Sequence, residues 1–159
     1  MVTRMAMEIR REDLGSPSAR SLIGALNAEL AAQYPEEGAN HFRLDAHEVV
    51  EGRGAFFVAY ADGQPVACGA IRRANAGTAE IKRMYVAPAA RGKGIGRMML
   101  DTLEAEGRRL GVTRIVLETG ERQLEALALY ERAGFTRIAL FGEYIGSPLS
   151  VCMAKDLTP

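Results

Sequence analysis

The chain has 159 residues, 48% of them apolar and 25% charged, which is the length and composition of one soluble globular domain with a sizeable core. That composition excludes a disordered chain, and twenty basic residues against twenty acidic ones leave no global positive field to hold a nucleic-acid backbone or an anionic membrane. No apolar run approaches the ~20 residues of a membrane helix, and the charged start (Arg4, Glu8, Arg10, Arg11) lacks a signal-peptide apolar region, so a cytoplasmic protein is expected.

Residues 5–10 alternate apolar and polar like a first strand. Ser16-Pro17-Ser18 then signals the start of a helix carrying Leu22, Ile23, Leu26 and Leu30, which ends near Tyr34-Pro35. After a polar loop at 36–40 and a weak helix at 46–50, strand runs at 55–60 and 65–71 flank Asp62-Gly63, a good hairpin signal. A further strand at 79–86 is stopped by Pro88, which cannot extend a ladder. Ile95, Met99, Leu103 and Leu110 are spaced for a helix that Gly111 can terminate, and strand character returns at 114–119. A helix at 124–133 ends at Gly134, followed by strands at 135–140 and 149–155. No linker or repeat interrupts this order, so one α/β domain over 1–159 is expected, of the α+β type, with a mixed sheet of about six to seven strands and helices on both faces. Cys68 and Cys152 fall in apolar strand runs and read as buried packing residues. With only His41 and His47 besides, a metal site is not expected.

The chemistry concentrates in Arg91-Gly92-Lys93-Gly94-Ile95-Gly96-Arg97, which joins a strand to a helix. Glycines let the backbone turn N–H groups toward a bound group at close range, and the first helical turn adds unsatisfied donors and a positive dipole end. No Ser, Thr, Asp or Asn stands between Pro88 and Arg97 to cap them, an arrangement that invites an external anion. A Walker A loop is excluded because Gly94 follows Lys93, and neither register of the glycines fits a dinucleotide fingerprint.

Val86-x-Pro88-x-x-Arg91-Gly92-x-Gly94-Ile95-Gly96 resembles the acetyl-CoA pyrophosphate loop of the GNAT superfamily of N-acetyltransferases, and Leu129-Tyr130-x-x-x-Gly134-Phe135 resembles that superfamily's second motif. Motif order and element order agree with the family over essentially the whole domain. The resemblance implies a GNAT-like fold and transfer of an acetyl group from acetyl-CoA, without a metal, to a small-molecule or peptide amine by direct attack in a ternary complex. A non-catalytic acyl-CoA-binding module is the alternative, and a homodimer is an assembly it allows. It further implies that Met84, Tyr85 and Val86 hold the pantetheine arm, that Gly92 to Arg97 cradle the pyrophosphate, and that Gln123 stands where the family often has Asn.

Acetyl transfer to an amine needs a neutral nucleophile, a stabilised oxyanion and a proton for the departing thiolate. Glu80 and Glu118 are the candidate bases, Glu80 preferred, with a water chain as the third option. Tyr130 falls on one stripe with Gln123, Ala126, Leu127 and Ala133, so its phenol faces inward and can donate to the leaving sulfur. Ile81 and Met84 are three apart where a strand demands two, which predicts a bulge near Lys82-Arg83 that turns a backbone N–H toward the acetyl carbonyl. Loops at 34–41 and 141–148 are expected to hold the acceptor, with Glu36, Glu37 and Glu143 available to a cationic amine. His41 and His47 read as surface residues.

Overall fold

The computed structural model describes residues 6–41 and 43–157; Met5, the expected start of the first strand, lies outside them. The elements run β1 (Met7–Arg11), α1 (Pro17–Gln33), β2 (Gly54–Ala61), β3 (Gln64–Arg73), β4 (Thr78–Val86), α2 (Ile95–Arg109), β5 (Arg114–Gly120), α3 (Leu124–Arg132), β6 (Thr136–Ile138) and β7 (Ser150–Asp156). Ser16 caps α1 by accepting from the Ala19 N–H, with Pro17 in the first turn where its missing N–H costs nothing. At the β2–β3 hairpin both Asp62 (φ +48°) and Gly63 (φ +80°) take the left-handed backbone that a two-residue turn requires. The expected strand at 135–140 is shorter, confined to Thr136–Ile138.

One seven-stranded sheet results, in the order β1-β2-β3-β4-β5-β7-β6, with β4 and β5 parallel and the other neighbours antiparallel. Ala19, Leu22 and Leu26 of α1 pack with Phe56, Val58, Cys68 and Tyr85 on one face. Ile95, Met99, Leu100 and Leu103 of α2 pack with Ile71, Ile115, Leu117 and Met153 on the other, where α3 adds Leu127 and Tyr130. Each fully buried large side chain of α2 contributes about 1.5–3 kcal/mol of transfer free energy, enough together to pin the helix and fix where its N-terminus opens. Cys68 and Cys152 are buried free thiols, and burial pushes the Cys68 thiol up to about 12. Among the described residues, no helix is long and apolar enough to cross a membrane.

Strand β4 is irregular in two respects. Cys68 faces Tyr85 and Ala70 faces Lys82, so Gly69 alone stands opposite Arg83 and Met84. That is the expected bulge, and Arg83 takes φ +58° to make it. Beyond it the parity is reset: Ile81, Met84 and Val86 all pack on the α2 side while Tyr85 turns to α1. The second irregularity is the pairing of β4 with β5, which stops at Ile81 and Leu117 although β4 continues to Val86 and β5 to Gly120. The sheet opens there.

Candidate active site

A cleft of ≈460 Å³ lies between the end of β4, the loop before α2, the first turn of α2 and the outer wall of α3. Gly92 (φ +79°) and Gly94 (φ +80°) take the left-handed conformation, and Gly94 is the N-cap of α2 with no side chain capping the helix. A Cβ added at either glycine would meet nothing within 4 Å, so the space over the turn is open and the uncapped N–H groups have room for an anion. Met84, Tyr85 and Val86 form a second wall; among the described residues no strand pairs with the β5-facing edge of this segment. A diphosphate with an extended arm suits this cradle and edge.

The cations of the loop differ in their surroundings. Arg91 lines the cleft, pairs with Glu29 at 2.9 Å and donates from Nε to the Val86 carbonyl at 2.9 Å. Arg97 also lines it and pairs with Asp101 one turn on at 3.0 Å, while Lys93 is exposed and does not line the cleft. Ile95 and Gly96 complete the first turn, with Ile95 buried. Gln123, at the start of α3, lines the cleft and donates from its amide to Gln33 of α1.

Behind the cleft, where β4 and β5 separate, is a smaller chamber of ≈110 Å³. Leu26, Met84, Gln123, Ala126 and Tyr130 line both spaces. The expected stripe on α3 is present: Leu127, Tyr130 and Ala133 are buried and Ala126 borders the cavities. Glu125 and Arg132 are exposed and also border the large cleft, which wraps around the helix. The Tyr130 ring meets Phe135 edge-on at 5.9 Å, and among the described residues its hydroxyl has no hydrogen-bond partner. Burial holds its phenol pKa well above the ordinary value, and the nearby Glu118 charge pushes the same way, so it stays protonated.

The two candidate carboxylates occupy different environments. Glu118 lines the small chamber, and its pKa is raised to about 7, first by burial and then by the charges of Glu80 and Glu143. The Ser150 hydroxyl, donating at 2.6 Å, and the Lys82 charge oppose that rise. Glu80 is only 1% exposed and lines neither space. Its Oε1 accepts from Arg72 at 2.7 Å and its Oε2 from the Tyr144 hydroxyl at 2.7 Å; Arg72 also bridges to Glu48.

The loops at 34–41 and 141–148 meet at the chamber through His41 and Tyr144, whose rings stack edge-to-face at 5.1 Å. His41 is thus a lining residue held by Ser147 (3.2 Å) and Glu143 (3.7 Å), not a surface residue, whereas His47 is exposed. Glu36 is committed to Arg122 at 2.7 Å, and Glu36, Glu37 and Glu143 do not line the chamber. Lys82 and Arg83, whose side chains have no role readable from the sequence, do line it. The signal available there is two adjacent cations in an apolar strand at the parity break.

A sheet split between two parallel strands, with a glycine-capped helix N-terminus on one side of the split and an ionisable chamber on the other, is the frame of an acyltransferase. The chain belongs to the acetyltransferase (GNAT) family, whose model matches residues 20–135. It is 40% identical over 150 residues to the IAA acetyltransferase of Azospirillum brasilense, covering 94% of this chain and 97% of that protein. A solved Klebsiella pneumoniae protein superimposes with a TM-score of 0.83 at 31% identity, over 96% of this chain and 98% of the other. A GNAT family acetyltransferase from Elizabethkingia anophelis, solved with acetyl-CoA bound, shares the fold with a TM-score of 0.68 at 19% identity, over 95% and 98% of the two chains.

Proposed function

We propose that this acyltransferase moves the acetyl group of acetyl-CoA to an amine by direct attack within a ternary complex. The observation that carries the reading is the common wall: Met84, Gln123 and Tyr130 border both the large cleft and the small chamber, so a donor in one and an acceptor in the other meet at these residues. The N–H groups of residues 92–97 hold the diphosphate, with Arg91 and Arg97 at the rim, and the free edge of Met84, Tyr85 and Val86 holds the pantetheine arm like an added strand. Acetyl-CoA supplies an acyl carbon activated as a thioester.

Glu118 takes the amine proton as the nitrogen–carbon bond forms. A carboxylate with a pKa near the working pH is suited to that task, and its place in the chamber favours it over Glu80. The bulge at Arg83 turns a main-chain N–H toward the carbonyl oxygen, and Tyr130 gives its proton to the sulfur as the carbon–sulfur bond breaks. Glu80 acts at a distance, fixing Tyr144 at the chamber wall and Arg72 behind it. Neither cysteine lines either space, which supports direct attack over a thiol-linked acyl-enzyme.

Thiol release across an amine panel tests the reaction, and initial rates with both substrates varied test its order. Intersecting lines are expected; parallel lines, the mark of a covalent acyl-enzyme, would overturn direct attack.

A further inference from the structure

The small chamber holds a cation that the transfer chemistry does not use. The Lys82 side chain is 4% exposed, and its nearest carboxylate, on Glu143, is 3.9 Å away, beyond hydrogen-bond reach. Among the described residues it has no hydrogen bond. Every fully closed-off side-chain nitrogen or oxygen among them does have a partner, so the Lys82 ammonium must open onto the chamber it lines. Arg83, buried beside it and donating to Asn27, lines the same chamber.

The carboxylates expected to draw in a cationic acceptor do not line the chamber. Glu36 is taken by Arg122, and Glu143 stands outside the lining, near Lys82 and His41. The chamber wall therefore sets the Lys82 ammonium beside the carboxylate of Glu118, with the Arg83 guanidinium engaged by Asn27 of α1. A polyamine would bring a further ammonium against the nearly buried Lys82 in a poorly solvated space, where like charges repel strongly. A nearly buried ammonium with a vacant donor direction favours an anion that can share it with Glu143.

We infer that the acceptor amine carries a carboxylate beside the nitrogen to be acylated, and that the Lys82 ammonium receives this carboxylate while Glu118 faces the amine. The inference rests on the acetyl-transfer reading for its placement of donor and acceptor, but recognition of the carboxylate is readable without turnover. The chamber, ≈110 Å³, has room for the amine and carboxylate head of a small molecule, with the rest of it extending outward. Lys82 touches no reacting atom in this scheme; it sets specificity.

The test uses matched pairs, each a free amino acid and its carboxamide, with acetyl-CoA and thiol release as readout. The wild-type protein is expected to favour the acid by about 10- to 100-fold in kcat/KM, the range of a charged hydrogen bond. Lys82→Met should abolish the preference for the acid, bringing the ratio of acid to amide kcat/KM to about one at each pH, and Lys82→Arg should keep the preference. Equal rates for acid and amide in the wild type, or a preference undiminished in Lys82→Met, overturn the inference. Should Lys82→Met fail to fold, the wild-type ratio alone decides. If no amine is acetylated, the CoA-loaded wild-type protein is titrated with the same pairs. Binding of acids over amides then upholds the carboxylate site while the transfer reading falls, and equal or absent binding of both overturns the site as well.

Discussion

The Tyr144 hydroxyl donates to Glu80 Oε2 at 2.7 Å while Arg72 holds the other carboxylate oxygen, and on the proposed reading Glu80 is a strut and Glu118 the base. Glu80→Gln leaves Arg72 without half of its buried pairing and is expected to cost about 3 kcal/mol of stability, read as a lower urea midpoint. The acid limb of the rate profile should survive the change. Loss of that limb in Glu80→Gln would return the base to Glu80.

Glu118 is expected to control that limb. With its pKa raised to about 7, falling pH protonates the base, so kcat/KM should drop about tenfold per unit below that point. Glu118→Gln should lower kcat by about 10²- to 10³-fold and leave only the amine's own titration in the profile.

The same group gives a stability signature of opposite sign to the usual carboxylate. The folded protein keeps the Glu118 proton that the unfolded chain releases, so this contribution is full below the ordinary value of 4.5 and is lost as pH rises through about 7. Glu118→Gln should therefore be more stable than the wild type at pH 8, by as much as about 3 kcal/mol, with the gain vanishing near pH 4. Denaturant titrations at both pH values read this difference.

Tyr130→Phe removes a hydroxyl with no hydrogen-bond partner among the described residues and should change stability by less than about 1 kcal/mol. The expected loss is in kcat, about 10²-fold, with CoA affinity measured by calorimetry unchanged. A selective loss of CoA binding would assign Tyr130 to donor binding instead.

Gly94→Ala forces a side chain into a left-handed conformation at φ +80°, at about 1–2 kcal/mol. Since no neighbour would clash, the effect should appear as a distorted cradle: about tenfold weaker CoA binding with kcat at saturation retained.

What is legible from residues alone depends on the range of the forces involved. Ser16, Asp62-Gly63 and the loop at 91–97 act within a few residues of themselves, so their capping, hairpin and helix-opening roles can be read directly. The bulge at Arg83 is legible because side-chain parity must be conserved along a strand. The different surroundings of Glu80 and Glu118 are not, because Arg72 reaches Glu80 across a strand pair and Tyr144 reaches it from 64 residues away. In the sequence Lys82 is one more strand cation; only the parting of β4 and β5 gives it a chamber to face.

Whether main-chain N–H groups at the start of α2 hold the diphosphate of an acyl carrier is decided by calorimetric titration with CoA and with pantetheine, which has the arm but no diphosphate. Saturable CoA binding at least about 100-fold tighter than pantetheine is expected. Equal affinity for the two, or no binding of CoA, would contradict that role for the loop.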